Sequence, residues 1–329
     1  MIAPERWLIT GGAGFIGKRL TQALRESGKH VRVLDSFIAT TEKDYYQQFD
    51  CRKRTEHEIA PHFEGHEVVV GDICNAELVK KVCQGIDFIV HLAANTGVQP
   101  SIQSPRLDFV SNCLGTFNCL EAAREHGIKR FVYASSGAVL GDVEPPLNED
   151  MKALPLSPYG ASKAAGEGYC SAYYESFDLE TVVLRFSNVY GPMSLHKMSL
   201  VPKFIKKVVT SDLLEIYGGG NQTRDFIYVD DIVSAIVLSA TKSGIAGEVF
   251  QIASNVETSV NQLCSMLFPL LEERAYAIPD LHMAKALKGD SARNFSQTKK
   301  ARDLLGWSSQ VPLEQGLART VNWFLDALE

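Results

Sequence analysis

The first half of the chain alternates two kinds of hydrophobic pattern. Short apolar, β-branched runs occur at "WLIT" (7–10), "VRVLD" (31–35), "EVVVGD" (67–72), "DFIVHLA" (87–93), "RFVYASS" (130–136) and "ETVVLRFS" (180–187). Amphipathic stretches at 15–27, 75–84, 105–126 and 158–177 lie between them. Continuous apolar strands separated by helices are the pattern of a parallel sheet covered on both faces, so the fold class expected is doubly wound α/β. After Ser187 the pattern loosens. A loop with Gly191 and Pro192, helices near 198–210 and 229–241, a strand at 248–252 and further helices suggest a smaller α+β region at the carboxyl end of the sheet. The division expected is 1–187 and 188–329, with segments such as 226–252 returning to the first part.

Composition narrows the classes without choosing among them. The 329 residues are 45% hydrophobic and 22% charged, an ordinary globular balance. A formal net charge of -6 argues against nucleic acid, and the short basic cluster Cys51 to Arg54 reads as a solvated loop. Seven scattered cysteines with no C-x-x-C pair argue against a disulfide framework and against a zinc site. The N-terminus runs almost directly into a strand, and no apolar run approaches the roughly 20 residues that span a bilayer. No membrane partner is expected, and the cytoplasm is the default compartment. The polar excursion 38–66 reads as a lid or a plain insertion.

"WLITGGAGFIGKRL" sets Gly11, Gly14 and Gly17 after the first strand, with Phe15 and Ile16 opening a helix. Glycine there lets the backbone turn sharply, approach a pyrophosphate and pack the helix on the sheet, while the helix N-terminus offers free N–H groups. Asp35 ends the second strand, where a carboxylate accepts hydrogen bonds from an adenosine ribose and repels a 2′-phosphate. The cofactor expected is therefore NAD, in a Rossmann-type domain. Asp72 and Ile73, after the third strand, fit an adenine contact, though "GD" is also turn chemistry.

"SPYGASKAAGE" begins another helix, with Ser157 as cap and Pro158 in its first turn. Tyr159 and Lys163 stand four apart on one face. A tyrosine is a poor base at its free pKa near 10, and a neighbouring ammonium with an oxidised nicotinamide would favour the phenolate. Ser135 and Ser136 end the preceding strand, where an open α/β sheet places its ligand crevice.

Taken together, "TGGAGFIG", "HLAA" (91–94), "SNCLGT" (111–116), "ASSGAVLGD", "SPYGASK", "LRFSNVYGP" (184–192) and "GGGNQTRDFIYVDD" (218–231) resemble the extended short-chain dehydrogenase/reductases that act on nucleotide sugars. The resemblance spans essentially the whole chain. It implies Tyr159 as catalytic base, Lys163 as its partner and holder of the nicotinamide ribose, and Ser136 as the contact to the reacting hydroxyl. It implies Leu92, Ala93, Ala94 and Asn112 on the cofactor side. Asn188 and Arg224 would meet the substrate diphosphate, Arg224 by its planar charged fork. Val98, Leu200 and Tyr217 fall where the sugar and nucleobase walls lie in this family.

Such enzymes begin by moving hydride from sugar C4 to NAD, giving a 4-ketosugar. The 4,6-dehydratases of the family carry an acid and a base just after the Ser/Thr, and the decarboxylases a glutamate. Here those positions are Gly137 and Ala138, which transfer no proton. What remains is 4-epimerisation or reduction of a ketosugar, and Asp35 favours the epimerase because reductases more often use NADPH. The sugar-wall position of the family falls on Asn294, smaller than the aromatics that restrict such sites, so a hexosamine or uronic acid is admitted beside a plain hexose. Two departures stand nearby. The basic residue before "GD" falls on Leu287, between Lys285 and Lys288, and the usual Asp is Gln297.

The rival class, a non-catalytic regulator binding NAD or a nucleotide sugar, has no need of Ser136, Tyr159 and Lys163 together. Members of the family dimerise through a four-helix bundle, which here implies a homodimer through 105–126 and 158–177.

Overall fold

The computed structural model describes residues 5–37, 67–285 and 291–328. Seven strands form one parallel sheet: β1 (Arg6–Thr10), β2 (His30–Asp35), β3 (Glu67–Val70), β4 (Phe88–His91), β5 (Arg130–Ser136), β6 (Thr181–Phe186) and β11 (Val249–Ile252). Their order is β3-β2-β1-β4-β5-β6-β11. From β1 the chain winds one way to β2 and β3; from β4 it winds the other way. The loops after β1 and β4 therefore diverge and leave a crevice at the carboxyl edge.

Helices cover both faces. Trp7 and Ile9 point to one face of β1 and Leu8 to the other, the two-residue alternation of a strand. The first face buries α1 (Phe15–Glu26) and α8 (Val229–Thr241), with Leu20, Ile232 and Ile236 packed among Trp7, Val33, Val132 and Phe250. The second buries α2 (Ala76–Val82), α5 (Gly115–Glu125) and α6 (Pro158–Phe177), with Val79, Leu120 and Cys170 against Leu8, Ile89 and Tyr133. A further core holds Tyr190, Phe204, Ile216, Leu263 and Phe324. It joins β7 (Asn188–Tyr190), α7 (Leu200–Val209), β8 (Leu214–Tyr217), β10 (Phe226–Tyr228), α9 (Val260–Glu272) and α10 (Leu313–Leu328). Two short strands, β9 (Thr223–Arg224) and β12 (Thr258–Ser259), pair beside it, and β13 (Leu281–Ala284) lies along β8.

The pattern-derived elements differ from the observed ones in places. β3 stops at Val70 and β4 at His91, before the polar loops that follow. The helix expected over 105–126 is α4 (Pro105–Phe109), a π-helical turn (Val110–Leu114) and then α5. The wide turn carries Asn112 inward, where its side chain bonds to a neighbouring loop. Apolar periodicity carries no record of such an inserted residue. Short α3 (Val98–Gln103) precedes α4. Among the described residues no helix is long and apolar enough to cross a membrane.

Candidate active site

The crevice is lined first by the glycine turn. Gly11 has φ +69°, and a β-carbon on it would sit 2.6 Å from the Ala93 nitrogen, so the loops after β1 and β4 touch here. Leu92, Ala93 and Ala94 carry the chain out of β4; Leu92 N donates to Thr10 O at 3.1 Å. Gly14 is the N-cap of α1 and makes no side-chain cap, so no side chain screens the first-turn amides of Phe15, Ile16 and Gly17. Asp35 accepts from Ala13 N at 2.9 Å and Phe37 N at 2.7 Å. Burial pushes its carboxyl upward, against those two amides and Lys18. Each oxygen keeps a lone pair for a further donor, such as a ribose hydroxyl. These residues fit the adenosine and pyrophosphate portion of NAD.

Asp72 closes a turn on Cys74 N at 2.8 Å, while the side chain of Ile73 is buried against Gly115. Asn118 holds the Ile73 carbonyl at 3.0 Å. Asn112, 1% exposed, accepts from Asn95 N (2.7 Å) and donates to Asn95 O, Asp108 and Ser162, each at 3.0 Å. Its amide thus ties the loop after β4 to α6.

Ser136 ends β5 and caps the turn Gly137–Val139, its Oγ accepting from Ala138 N at 3.2 Å. Ser157 caps α6, accepting from Gly160 N at 3.2 Å, with Pro158 in its first turn as expected. That brings Tyr159 toward Ser136, whose hydroxyl favours the phenolate. One turn on, Lys163 is 3% exposed; its Nζ donates to Ala134 O at 2.7 Å and lies 4.9 Å from the centre of the Tyr133 ring. The helix can come this close because Gly166 faces Tyr133: a β-carbon there would lie 2.2 Å from the phenol oxygen.

A clamp that sequence reasoning missed holds this pair of elements. Glu167 accepts from Ser135 Oγ (2.5 Å) and from Arg185 Nε (2.9 Å) and Nη2 (2.7 Å), joining α6 to β5 and β6. Its signal was available: Glu167 follows Lys163 by four residues, on the same face. Ser135 therefore acts on the scaffold while Ser136 faces the crevice.

Burial sets the proton affinities. It pushes the Tyr159 phenol up to about 12; the Ser136 hydroxyl opposes it and Asp108 adds to it. It pulls Lys163 down to about 8, opposed chiefly by Asp108. The neighbouring ammonium therefore does not by itself bring the phenol toward neutrality.

The remaining sequence candidates lie on other elements. Asn188 opens β7, its N–H bonded to Asp225 O at 2.9 Å. Arg224, 8% exposed, donates to Thr223 O (2.6 Å) and Ser291 O (3.0 Å). Tyr217 ends β8 with its hydroxyl 3.3 Å from Glu215 and Lys203 Nζ 5.2 Å from its ring centre. Val98 and Leu200, both half-buried, open α3 and α7. Asn294 meets the turn after β5: its Oδ1 is 3.9 Å from where a Gly137 β-carbon would be. Nothing stands closer to that point, and Gly137 has no positive φ, so the backbone does not demand glycine. Gln297 N donates to Leu147 O at 2.9 Å. Leu287 and Lys288 lie outside the described residues, as does the excursion 38–66 with Cys51 to Arg54.

The chain belongs to the NAD dependent epimerase/dehydratase family, whose model matches residues 7–253. It is 33% identical over 324 residues to a UDP-glucose 4-epimerase of Mycolicibacterium smegmatis, covering 97% of this chain and 98% of that one. It is 30% identical over 326 residues to human dTDP-D-glucose 4,6-dehydratase, covering 97% and 90%. Its structure resembles the crystal structure of UDP-glucuronic acid 4-epimerase from Bacillus cereus in complex with UDP-glucuronic acid and NAD. The TM-score is 0.86 at 30% identity, over 98% of this chain and 99% of that one.

Proposed function

We propose that the protein is an NAD-dependent nucleotide-sugar 4-epimerase acting on a UDP-hexose, UDP-N-acetylhexosamine or UDP-hexuronate through a transient 4-ketosugar. The observation that carries this is the meeting of Ser136, Tyr159 and Lys163 beside Gly137 and Ala138, where no acid stands. NAD, when bound, supplies the acceptor for hydride from sugar C4 and the means of returning it.

Tyr159 takes the proton of the 4-hydroxyl as the C4–H bond breaks, and Ser136 holds that oxygen by a hydrogen bond. Lys163, anchored on Ala134, contributes positive charge and a donor for the nicotinamide ribose. After the ketosugar turns its other face, Tyr159 returns the proton to O4, so no net oxidation occurs and no external reductant is used. Gly11, Gly14, Phe15, Ile16 and Gly17 cradle the pyrophosphate, and Asp35 the adenosine ribose. Asp72, Ile73 and the run Leu92–Ala94 flank the rest of the cofactor, with Asn112 holding that run in place through Asn95. Asn188 and Arg224 take the diphosphate; Val98, Leu200, Tyr217 and Asn294 form the walls. In this reading residues 1–187 serve the cofactor, and 188–329 serve mainly the substrate.

We infer a cytoplasmic homodimer. Its support is the apolar surface on the helices named for it: Leu107, Phe109, Leu114, Phe117, Tyr169 and Phe177 are all exposed.

The test is proton NMR of UDP-sugars incubated with the enzyme and no added reductant. Interconversion of a C4 pair is expected, lost in Tyr159→Phe with dinucleotide still bound. Steady consumption of NADH or NADPH with a ketosugar, without interconversion, would instead establish the reductase reading.

A further inference from the structure

Most buried cations of this protein have their charge met from within. Arg185 lies on Glu167 and Arg130 on Glu180, while Lys163 stands in the field of Asp108 and Glu167. Lys197 differs. Its Nζ donates to Thr96 Oγ1 at 3.2 Å, which is its one side-chain hydrogen bond among the described residues, and it forms no ion pair with any of them. An ammonium has three N–H donors, so two are left over. Burial draws its pKa down, and no acid opposes that pull.

The placement of this lysine is built. Its backbone N–H donates to Ser194 O at 2.8 Å, and Ser194, fully buried, donates its hydroxyl to Gly191 O at 2.6 Å. Lys206, from α7, donates to the carbonyls of Leu195 (3.0 Å) and Lys197 (2.9 Å). The segment between β7 and α7 is thereby pinned so that Lys197 reaches Thr96. Thr96 follows Asn95, which Asn112 ties to Ser162, the neighbour of Lys163. The ammonium is thereby linked through Thr96, Asn95 and Asn112 to α6, the helix that carries Tyr159 and Lys163, and lies on a different element from Arg224 on β9.

We propose that Lys197 reads an anionic group on the sugar itself, a carboxylate at C6, which makes the preferred substrate a nucleotide hexuronate. This rests on the epimerase reading and names its substrate class. A carboxylate beside Nζ accepts the two spare N–H groups and compensates the half-buried charge; a neutral hydroxymethyl group leaves the charge unpaired. Discrimination by such a group is on the order of 100-fold or more.

The experiment compares the holoenzyme with Lys197→Met and Lys197→Arg. It measures kcat/KM for UDP-glucuronic acid and UDP-glucose, binding of both sugars and of UDP alone, and the thermal midpoint without substrate. The wild type should prefer UDP-glucuronic acid. Lys197→Met should lose about 100-fold on that substrate alone, leave UDP binding unchanged, and raise the thermal midpoint by deleting an uncompensated charge. Lys197→Arg should keep part of the preference. Equal loss on both sugars, with weaker UDP binding, would assign Lys197 to the diphosphate and overturn the proposal. So would a lowered midpoint with general loss, which marks a structural latch to Thr96, or no loss at all. Absence of turnover on either sugar, and on UDP-N-acetylglucosamine as well, in the wild type would sink the epimerase reading. The Lys197 assignment would then stand or fall on whether Lys197→Met abolishes tighter binding of UDP-glucuronic acid over UDP-glucose.

Discussion

Lys163 Nζ stands 6.0 Å from the centre of the Tyr159 ring and gives its hydrogen bond to the Ala134 carbonyl. The two residues usually named together are thus joined through space, each with its own anchor. Tyr159 is held at about 12 and Lys163 at about 8, both moved chiefly by burial.

That ordering predicts the pH profile of kcat/KM. The phenolate fraction grows tenfold per pH unit below the raised Tyr159 value, so the rate rises with pH. Above about 8 the lysine loses its proton and the rise should bend over. In Lys163→Arg the charge persists, and the bend should move to higher pH. An unchanged bend in that variant would assign it to another group.

Asn294 faces Gly137, its Oδ1 lying 3.9 Å from where a β-carbon on Gly137 would be. Asn294→Tyr should put a bulky ring at the proposed sugar wall. Activity on an N-acetylated UDP-sugar is expected to fall at least about tenfold while a sugar with a plain C2 hydroxyl is spared. Parallel kinetics on the two substrates check this; unchanged activity on the N-acetylated one would remove Asn294 from the wall.

The fold was largely legible because continuous apolar runs and amphipathic stretches alternate, and each run sits in the seven-stranded parallel sheet. Leu8 and Ile9, buried on opposite faces, show why such strands carry no polar alternation. The spacing of Tyr159 and Lys163 on one helical face, and the position of Ser136 at the end of a strand, could likewise be read from local pattern. Long-range pairings could not. Glu167 and Arg185 are separated by a strand connection, and only packing of α6 on β6 makes them partners. Lys197 escaped notice for a similar reason: a lysine in a loop is ordinarily solvated, and its burial against Thr96 arises from contacts about a hundred positions apart. The raised phenol of Tyr159 reflects burial, which sequence spacing does not report.

His91 supplies a stability prediction independent of catalysis. It is fully buried between Thr10 (2.7 Å) and Thr116 (3.0 Å), and burial drives its pKa down to about 3. The unfolded chain protonates it near 6.5. Because the folded value is the lower one, its contribution is complete above about 6.5 and is lost as pH falls toward 3, by roughly 1.4 kcal/mol per pH unit. Denaturant unfolding between pH 4 and 7 should show this slope in the wild type and a slope shallower by one proton in His91→Asn. Equal slopes would mean that other groups govern the acid lability.

The central claim, hydride removed from C4 and returned to the same carbon, is tested most directly with a UDP-sugar deuterated at C4. The enzyme should yield the C4 epimer with deuterium still at C4, with no solvent hydrogen incorporated there and no free NADH accumulating. Deuterium lost to solvent, transferred to another carbon with loss of water, or released in reduced cofactor would contradict it.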